Sequence, residues 1–273
     1  MKPMINLPAP EPYAPTARPG PEWRHFFDIL FVLVSRDFKG RYRNTALGML
    51  WAVIGPLLYL STFYFVFKLM LDLGITRYAS FVFIGLIVWM WFQTSLSQGA
   101  AVITAHPNLV SQPGFPVAAL PAMSVMSAFI TFAISLPMLF IVIAIEGGRF
   151  HVALLALPLI VLIQFVLTLG VTFLVAAINV RFRDTQYVLP VILQLGYFAI
   201  PIFYDLQHVP ARYRALFDYN PLALLVGAYR RILIDGRFPE WGSVALTFGA
   251  AIVILAVGFR YFQRARDGFL EDI

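Results

Sequence analysis

Six stretches of the chain are apolar for long enough to cross a lipid bilayer, and few folds accommodate that. A crossing takes about 20 mostly apolar residues in helical form. The runs lie approximately at Leu47–Leu71, Tyr78–Leu96, Ala118–Ile145, Val152–Val180, Tyr187–Phe203 and Gly242–Phe262. The expectation is an all-α integral membrane protein of about six transmembrane helices. Composition agrees, with 60% hydrophobic and 12% charged residues among 273 and a mean hydropathy of +0.79, well outside the range of soluble domains.

The net charge of +6 invites a nucleic-acid partner, but the basic residues cluster beside apolar runs, as in membrane proteins, and nucleic acid is discounted. Arg36, Lys39, Arg41 and Arg43 precede the first run, Arg181 and Arg183 follow the fourth, and Arg264 and Arg266 follow the sixth. Six crossings put these groups and both termini on one side, assigned to the cytoplasm. The segment Asp205 to Trp241 opposes that assignment, carrying Arg212, Arg214, Arg230, Arg231 and Arg237 on the other side. Residues 1–21 hold no apolar core and are expected to form a flexible cytosolic tail rather than a signal peptide. The remaining divisions are an amphipathic helix and basic segment over 22–46, a membrane domain over 47–262 and a cytosolic tail over 263–273.

Two shorter helices are legible. Trp23, Phe26, Phe27, Leu30, Phe31, Val34 and Phe38 recur at steps of three and four. That is one face of a helix too short to cross, lying in the membrane interface or packed on the protein's own cytosolic surface. Between the fifth and sixth runs, Asn220 stands as a cap, Pro221 in the first turn and Gly236 as the stop. Leu222, Leu225, Val226, Tyr229 and Leu233 form its apolar stripe, giving a re-entrant or interface-lying hairpin on the outer face.

Residues that carry chemistry are scarce. There is no cysteine, hence neither a disulfide nor a thiolate metal site. Asp72, Glu146, Asp184 and Asp205 sit at span ends, so no mid-span carboxylate offers ion coupling. No G-x-x-x-x-G-K-[ST] loop is present, so ATP cannot be used in the P-loop manner by this chain. His25, His106, His151 and His208 lack metal-ligand spacing; no catalytic and no metal residues are assigned. If the chain transports, a partner supplies the energy.

The polar content of the spans is patterned. Tyr187, Pro190, Gln194, Tyr197, Pro201 and Tyr204 fall on one face of the fifth run. This face is either a helix contact or a pathway wall whose rings and hydroxyls suit a sugar. Tyr59, Phe63 and Phe67 repeat at steps of four in the first run, facing lipid, core or the same path. Ser124, Ser127, Thr131 and Ser135 make a small-residue stripe that fits helix packing.

Several motifs then occur in order. "RDFKGRYRNTALGMLWAVIGPLLYL", "FVFIGLIVWMWF", "NLVSQPGFP" followed by "LP", "INVRFRDTQYVLP", and "IPIFY" with "YNPLALLVGAYR" together resemble the permease subunits of ABC exporters for polysaccharides, the group serving O-antigen, capsule and teichoic acid. The resemblance implies a homodimer of the permease in a bacterial cytoplasmic membrane. With it go two ATP-binding-cassette subunits that hold ATP and Mg, while this chain carries no cofactor. The cargo would be a polyprenyl-linked polysaccharide. It further implies that Pro107, Asn108, Leu109, Val110, Phe115 and Pro116 form a coupling helix seated on the ATPase. Here the family's basic residues are replaced by Ser111, Gln112, Pro113, Gly114 and Val117, which makes the seat shape-led. Tyr59, Phe63, Gln194, Tyr197 and Tyr204 are the expected substrate path. Arg36, Lys39, Arg41 and Arg43 either anchor to anionic headgroups or capture the pyrophosphate of the lipid-linked substrate. Export of another bulky amphiphile, a drug or lipid, and a membrane enzyme acting on polyprenyl-linked sugars are the alternatives.

Overall fold

The computed structural model describes residues 22–42, 47–71, 74–206 and 209–269. Its ten α-helices are α1 (Glu22–Tyr42), α2 (Trp51–Phe63), α3 (Tyr78–Ala101), α4 (Pro107–Val110), α5 (Ala119–Ile145), α6 (Leu157–Arg181), α7 (Thr185–Phe198), α8 (Ala211–Asp218), α9 (Pro221–Leu233) and α10 (Trp241–Arg266). A 3-10 turn leads into α2 and a π-helical turn extends it, so that segment is continuous over Gly48–Met70. Among the described residues, five helical segments are long and apolar enough to cross a membrane: Gly48–Met70, α3, α5, Val152–Arg181 and α10.

The fifth expected span is the exception. Hydropathy runs on to Phe203, but α7 has 14 residues, roughly 21 Å at 1.5 Å per residue, short of the ~30 Å hydrocarbon core. The cause is Pro201, which disfavours helical backbone at Ile200 and cannot supply an N–H. A bend over residues 199–204 replaces the last turns, with Ile202 N bonded to Ile200 O at 2.8 Å.

The segment still runs the length of the bundle, because its two ends meet opposite ends of the molecule. At one end, Leu30, Leu33 and Val34 of α1 join Val102, Ile103, Val110 and Phe115 of the α3–α5 connector. Phe173, Ala176 and Val180 near the end of α6, Phe262 of α10, and Phe269 complete this cluster. At the other end, Glu146 accepts hydrogen bonds from Ala79 N (3.1 Å) and Ser80 N (2.8 Å), capping the start of α3. Nearby, Arg77 Nη1 donates to Ile234 O at 2.9 Å, beside Gly236, which has no room for a Cβ against His151. Since α6 and α10 both finish at the α1 end, the chain between them must pass to the α9 end, and α7 with its bend makes that passage. Residues 263–269 are no free tail, since α10 runs to Arg266 and Phe269 is 1% exposed.

Helix α3 is the axis of the fold, packed by α5, α6, α2, α7 and α9. In its most apolar window 72% of residues are buried within the chain, against 17% for Gly48–Met70. Outer faces of α2 and α7 are therefore left to lipid or another subunit. Helices α6 and α10 cross at backbone contact, since a Cβ on Gly258 would lie 2.1 Å from Gly170 O. The hydroxyl stripe of α5 serves packing, with Ser135 Oγ donating to Thr131 O at 3.0 Å and to Ala52 O of α2 at 3.4 Å.

Both short helices form. Helix α1 has apolar groups on two sides. Leu30, Leu33 and Val34 are buried against the bundle while Trp23, Phe27 and Phe31 stay exposed, Phe31 at 76%. The two expected placements thus describe opposite faces of one helix. In α9, Asn220 Oδ1 accepts from Leu222 N (3.0 Å) and Ala223 N (3.4 Å), and Leu225, Val226, Tyr229 and Leu233 are buried. Tyr229 Oη donates to Gln164 Oε1 at 2.8 Å, while Gln164 Nε2 donates to Val88 O at 3.0 Å. These bonds satisfy the Tyr229 hydroxyl that α9 brings into the bundle. Replacing Asn220 with alanine orphans two N–H groups and is expected to cost about 1 kcal/mol. Chemical unfolding in detergent measures this, and an unchanged midpoint would mean that water serves those donors equally well.

Candidate functional site: a cavity between α2, α3 and α7

A cavity of about 460 Å³ opens between three helices. Helix α2 contributes Tyr59 and Phe63, and α7 contributes Gln194, Tyr197 and Phe198. Four of the five expected path residues, Tyr59, Phe63, Gln194 and Tyr197, thus line one cavity from two helices. Tyr204 does not reach it: Tyr204 Oη donates to Phe198 O at 3.0 Å, capping α7, and the ring packs on Phe217. The bend carries Tyr204 off the face that an unbroken helix would have given it.

The third wall belongs to α3, where Leu86, Trp89, Met90, Gln93, Thr94, Ser97 and Gln98 face the space. Positions 86, 89/90, 93/94 and 97/98 follow the helical repeat, a polar face in an otherwise apolar helix. That periodicity is present in the sequence, spread over the last turns of the Tyr78–Leu96 run and the residues just after it. Trp89 Nε1 donates to Gln93 Oε1 at 2.7 Å, aligning both side chains. Trp89, Phe63 and Tyr197 meet edge-on or tilted, with Tyr197 6.0 Å from Trp89 and 6.1 Å from Phe63 between ring centroids. Tyr197 Oη is buried with no hydrogen-bond partner among the described residues. The cavity offers aromatic faces for C–H surfaces together with amides and hydroxyls at its edges, the combination that binds carbohydrate.

The basic residues of α1 divide into two kinds. Arg36 and Lys39 are exposed, beside a groove lined by Phe31, Val32, Ser35 and Gly40. Arg41 points inward, donating to Asp37 Oδ2 from Nε (2.9 Å) and Nη2 (2.5 Å), and from Nη2 to Gln98 Oε1 at 2.5 Å. Gln98 lines the cavity, so α1 is bonded directly to its inner rim. Arg43 lies outside the described residues.

Within the connector, Pro107–Val110 form a four-residue helix with proline in the first turn. His106 Nδ1 lies 2.9 Å from Val102 O, bracing the entry. Of the residues expected in the coupling helix, Val110 and Phe115 do not project outward. Val110 is 7% and Phe115 9% exposed, both inside the chain's own core cluster, with Leu109 partly buried beside them. An apolar side chain in an otherwise polar connector goes to the nearest apolar surface, the bundle itself. The outward face is Pro107, Asn108, Ser111, Gln112, Pro113 and Gly114, with Pro116 partly buried behind it. Gly114 takes φ +80°, where a side chain would be strained.

Among the described residues no three His, Cys, Asp or Glu side chains gather as a metal site requires. Comparison with known proteins supplies the family. The chain is 34% identical to the O-antigen export system permease protein RfbA of Myxococcus xanthus over 251 residues, 90% of this chain and 95% of that protein. It is 27% identical to an RfbA of Klebsiella pneumoniae, again over 90% and 95%. Identity to the polysialic acid transport protein KpsM of Escherichia coli is 24%, over 88% and 94%. Residues 29–234 match the family described as ABC-2 type transporter. With that match spanning most of its length, this helical membrane protein belongs to the ABC-2 type transporter family.

Proposed function

We propose that this chain is the permease of an ATP-driven exporter that moves a lipid-linked polysaccharide out of the cytoplasm. The observation that carries this reading is the aromatic and amide-lined cavity, joined at its rim to the basic helix α1 through Gln98 and Arg41. Relatives named for O-antigen export and polysialic acid transport support a glycan cargo. The sequence carries no G-x-x-x-x-G-K-[ST] loop, which supports a reading in which a separate ATPase subunit holds ATP and Mg. The α1 end is assigned to the cytoplasm, since Arg36, Lys39, Arg181, Arg183, Arg264 and Arg266 gather there, and both termini follow. There Arg36 and Lys39 are available to phosphate oxygens, while the connector's outward face meets the ATPase. The exposed apolar faces of α2 and α7 are the surface for a second copy of the permease, two permeases working with two ATPases in a bacterial cytoplasmic membrane.

In cells lacking their own permease, the variant Gln194→Ala with Tyr197→Ala is expected to cut glycan export roughly tenfold, the equivalent of ~1.4 kcal/mol of lost contacts. Association with the ATPase should be unchanged in pull-down. Tyr204→Ala, which lies off the cavity, is expected to act through α7 stability instead. Normal export by the double variant would take this cavity out of the pathway.

A further inference from the structure

Irregular backbone is tolerated at membrane depth only where protein groups satisfy it. After α7 three free carbonyls are so met: Phe198 O by Tyr204 Oη (3.0 Å), Ile202 O by Arg230 Nη2 (2.8 Å) and Phe203 O by Tyr78 Oη (3.3 Å). Arg230 reaches from α9 and also donates to Phe81 O of α3 from Nε (3.2 Å) and Nη2 (3.1 Å). Its guanidinium carbon stands 3.3 Å from the Phe81 ring centroid. Gly85 completes the fit, because a Cβ there would lie 3.1 Å from Ile202 Cα and 3.3 Å from Arg230 Nη2. One guanidinium thus staples the bend to α3 and α9 together.

The bend carries Phe203. Its ring stacks on Phe63 (5.6 Å) and Phe67 (5.2 Å) and meets Tyr197 at 6.1 Å. Phe63 and Tyr197 belong to the cavity wall, so this cluster closes the cavity toward the α9 end. A solute leaving that way must displace Phe203, and Phe203 moves only if the Ile202–Phe203 backbone lets go of Arg230 and Tyr78.

We infer that Arg230 is a positioning residue for transport, the pin that holds a Phe203 gate shut at the α9 end of the cavity. The inference rests on the permease reading for what passes and in which direction. It does not need that reading for the gate itself. Arginine suits the task because its planar fork serves two carbonyls at fixed angles while its face stacks on a ring. A lysine ammonium serves one carbonyl and stacks less well. Other ties of α9, Tyr229 to Gln164, Arg231 to Glu240 and, just past its end, Arg77 to Ile234 O, do not touch the bend. Loosening Arg230 therefore frees the gate without detaching α9.

The test uses the full chain reconstituted with its ATPase in vesicles loaded with radiolabelled sucrose, without ATP. Wild-type vesicles are expected to retain the sugar. Phe203→Ala should raise passive efflux about tenfold, and Arg230→Gln several-fold, with Arg230→Lys between Arg230→Gln and wild type. Each is normalised to folded, ATPase-bound complex, a normalisation that removes a purely structural effect. Tight vesicles from well-assembled Arg230→Gln would overturn the proposal. If that variant does not fold, Tyr78→Phe, losing one carbonyl tie, and Gly85→Ala, crowding Ile202, take its place, and retention by both overturns it equally. Wild-type glycan export is assayed in parallel. Leaking variants beside a wild type that exports no glycan would uphold the gate and sink the permease reading, while tight variants beside an exporting wild type would do the reverse.

Discussion

Replacing Gly258 with leucine is expected to prevent the bundle from closing. A Cβ at this position would stand 2.1 Å from Gly170 O, and one at Gly170 would stand 2.6 Å from both Leu255 N and Leu255 Cα. The obstructing atoms are backbone on both sides, so no rotamer change relieves them and α10 must move away from α6 along their whole crossing. That crossing is the most extensive helix pair in the molecule. Overpacking typically costs 1–3 kcal/mol where side chains can yield, and a backbone clash should lie at or above about 3 kcal/mol. Since α6 and α10 also carry Phe173 and Phe262 into the cluster beneath the connector, the damage extends to the α1 end. The measurements are yield of monodisperse protein in detergent and the thermal midpoint. Near-normal values for Gly258→Leu would show that the helices do not approach so closely. Gly249→Leu, at a site open to its surroundings, is the matched control and should be silent.

Phe115→Ala is expected to cost about 3 kcal/mol of stability, the low end of the range for buried phenylalanines, rather than only a docking contact. Phe115 is buried in the same cluster as Val110, Val117 and Leu120, beneath the connector, so its loss lets the outward face wander and weakens ATPase association indirectly. The outward face itself is tested by bulk: Gln112→Trp should block association while leaving the unfolding midpoint unchanged, because Gln112 is exposed. Association should fall only weakly between low and high salt, since residues 107–116 carry no Lys, Arg, Asp or Glu and screening acts on charges. A variant Phe115→Ala with normal stability and lost association would restore it as a direct contact. A steep salt dependence would move the docking surface to Arg181 and Arg183 or to α1.

Much of this was legible along the chain. Five spans and the two short helices are written in local periodicity and capping, and Asn220, Pro221 and Gly236 mark α9 with residues that act within a turn of themselves. Four of the residues that line the cavity stand out in the sequence because Tyr59 with Phe63, and Gln194 with Tyr197, each repeat on one helix face, a property of spacing alone. The polar α3 face from Trp89 to Gln98 is equally periodic, yet it straddles the end of a run, Tyr78–Leu96, legible mainly by its average hydropathy. The length of α7 was misjudged because hydropathy sums side chains, whereas the helix ends where Pro201 withdraws a backbone donor. The sequence by itself thus determined that the chain crosses a membrane as helices, where α9 begins, and that no phosphate loop for ATP lies within it.

Only the tertiary structure decided which way Phe115 points, that Arg41 reaches Gln98 across 57 positions, and that Arg230 ties the bend after α7 to α3 by bonding Ile202 O across 28 positions and Phe81 O across 149. The physical reason is range. Insertion and helix formation depend on sums over some 20 neighbouring residues, which any window of the chain contains. The direction of a side chain at a loop, or of a cation facing orphan carbonyls, depends on which unsatisfied group another segment presents, and that partner exists only once the helices have packed.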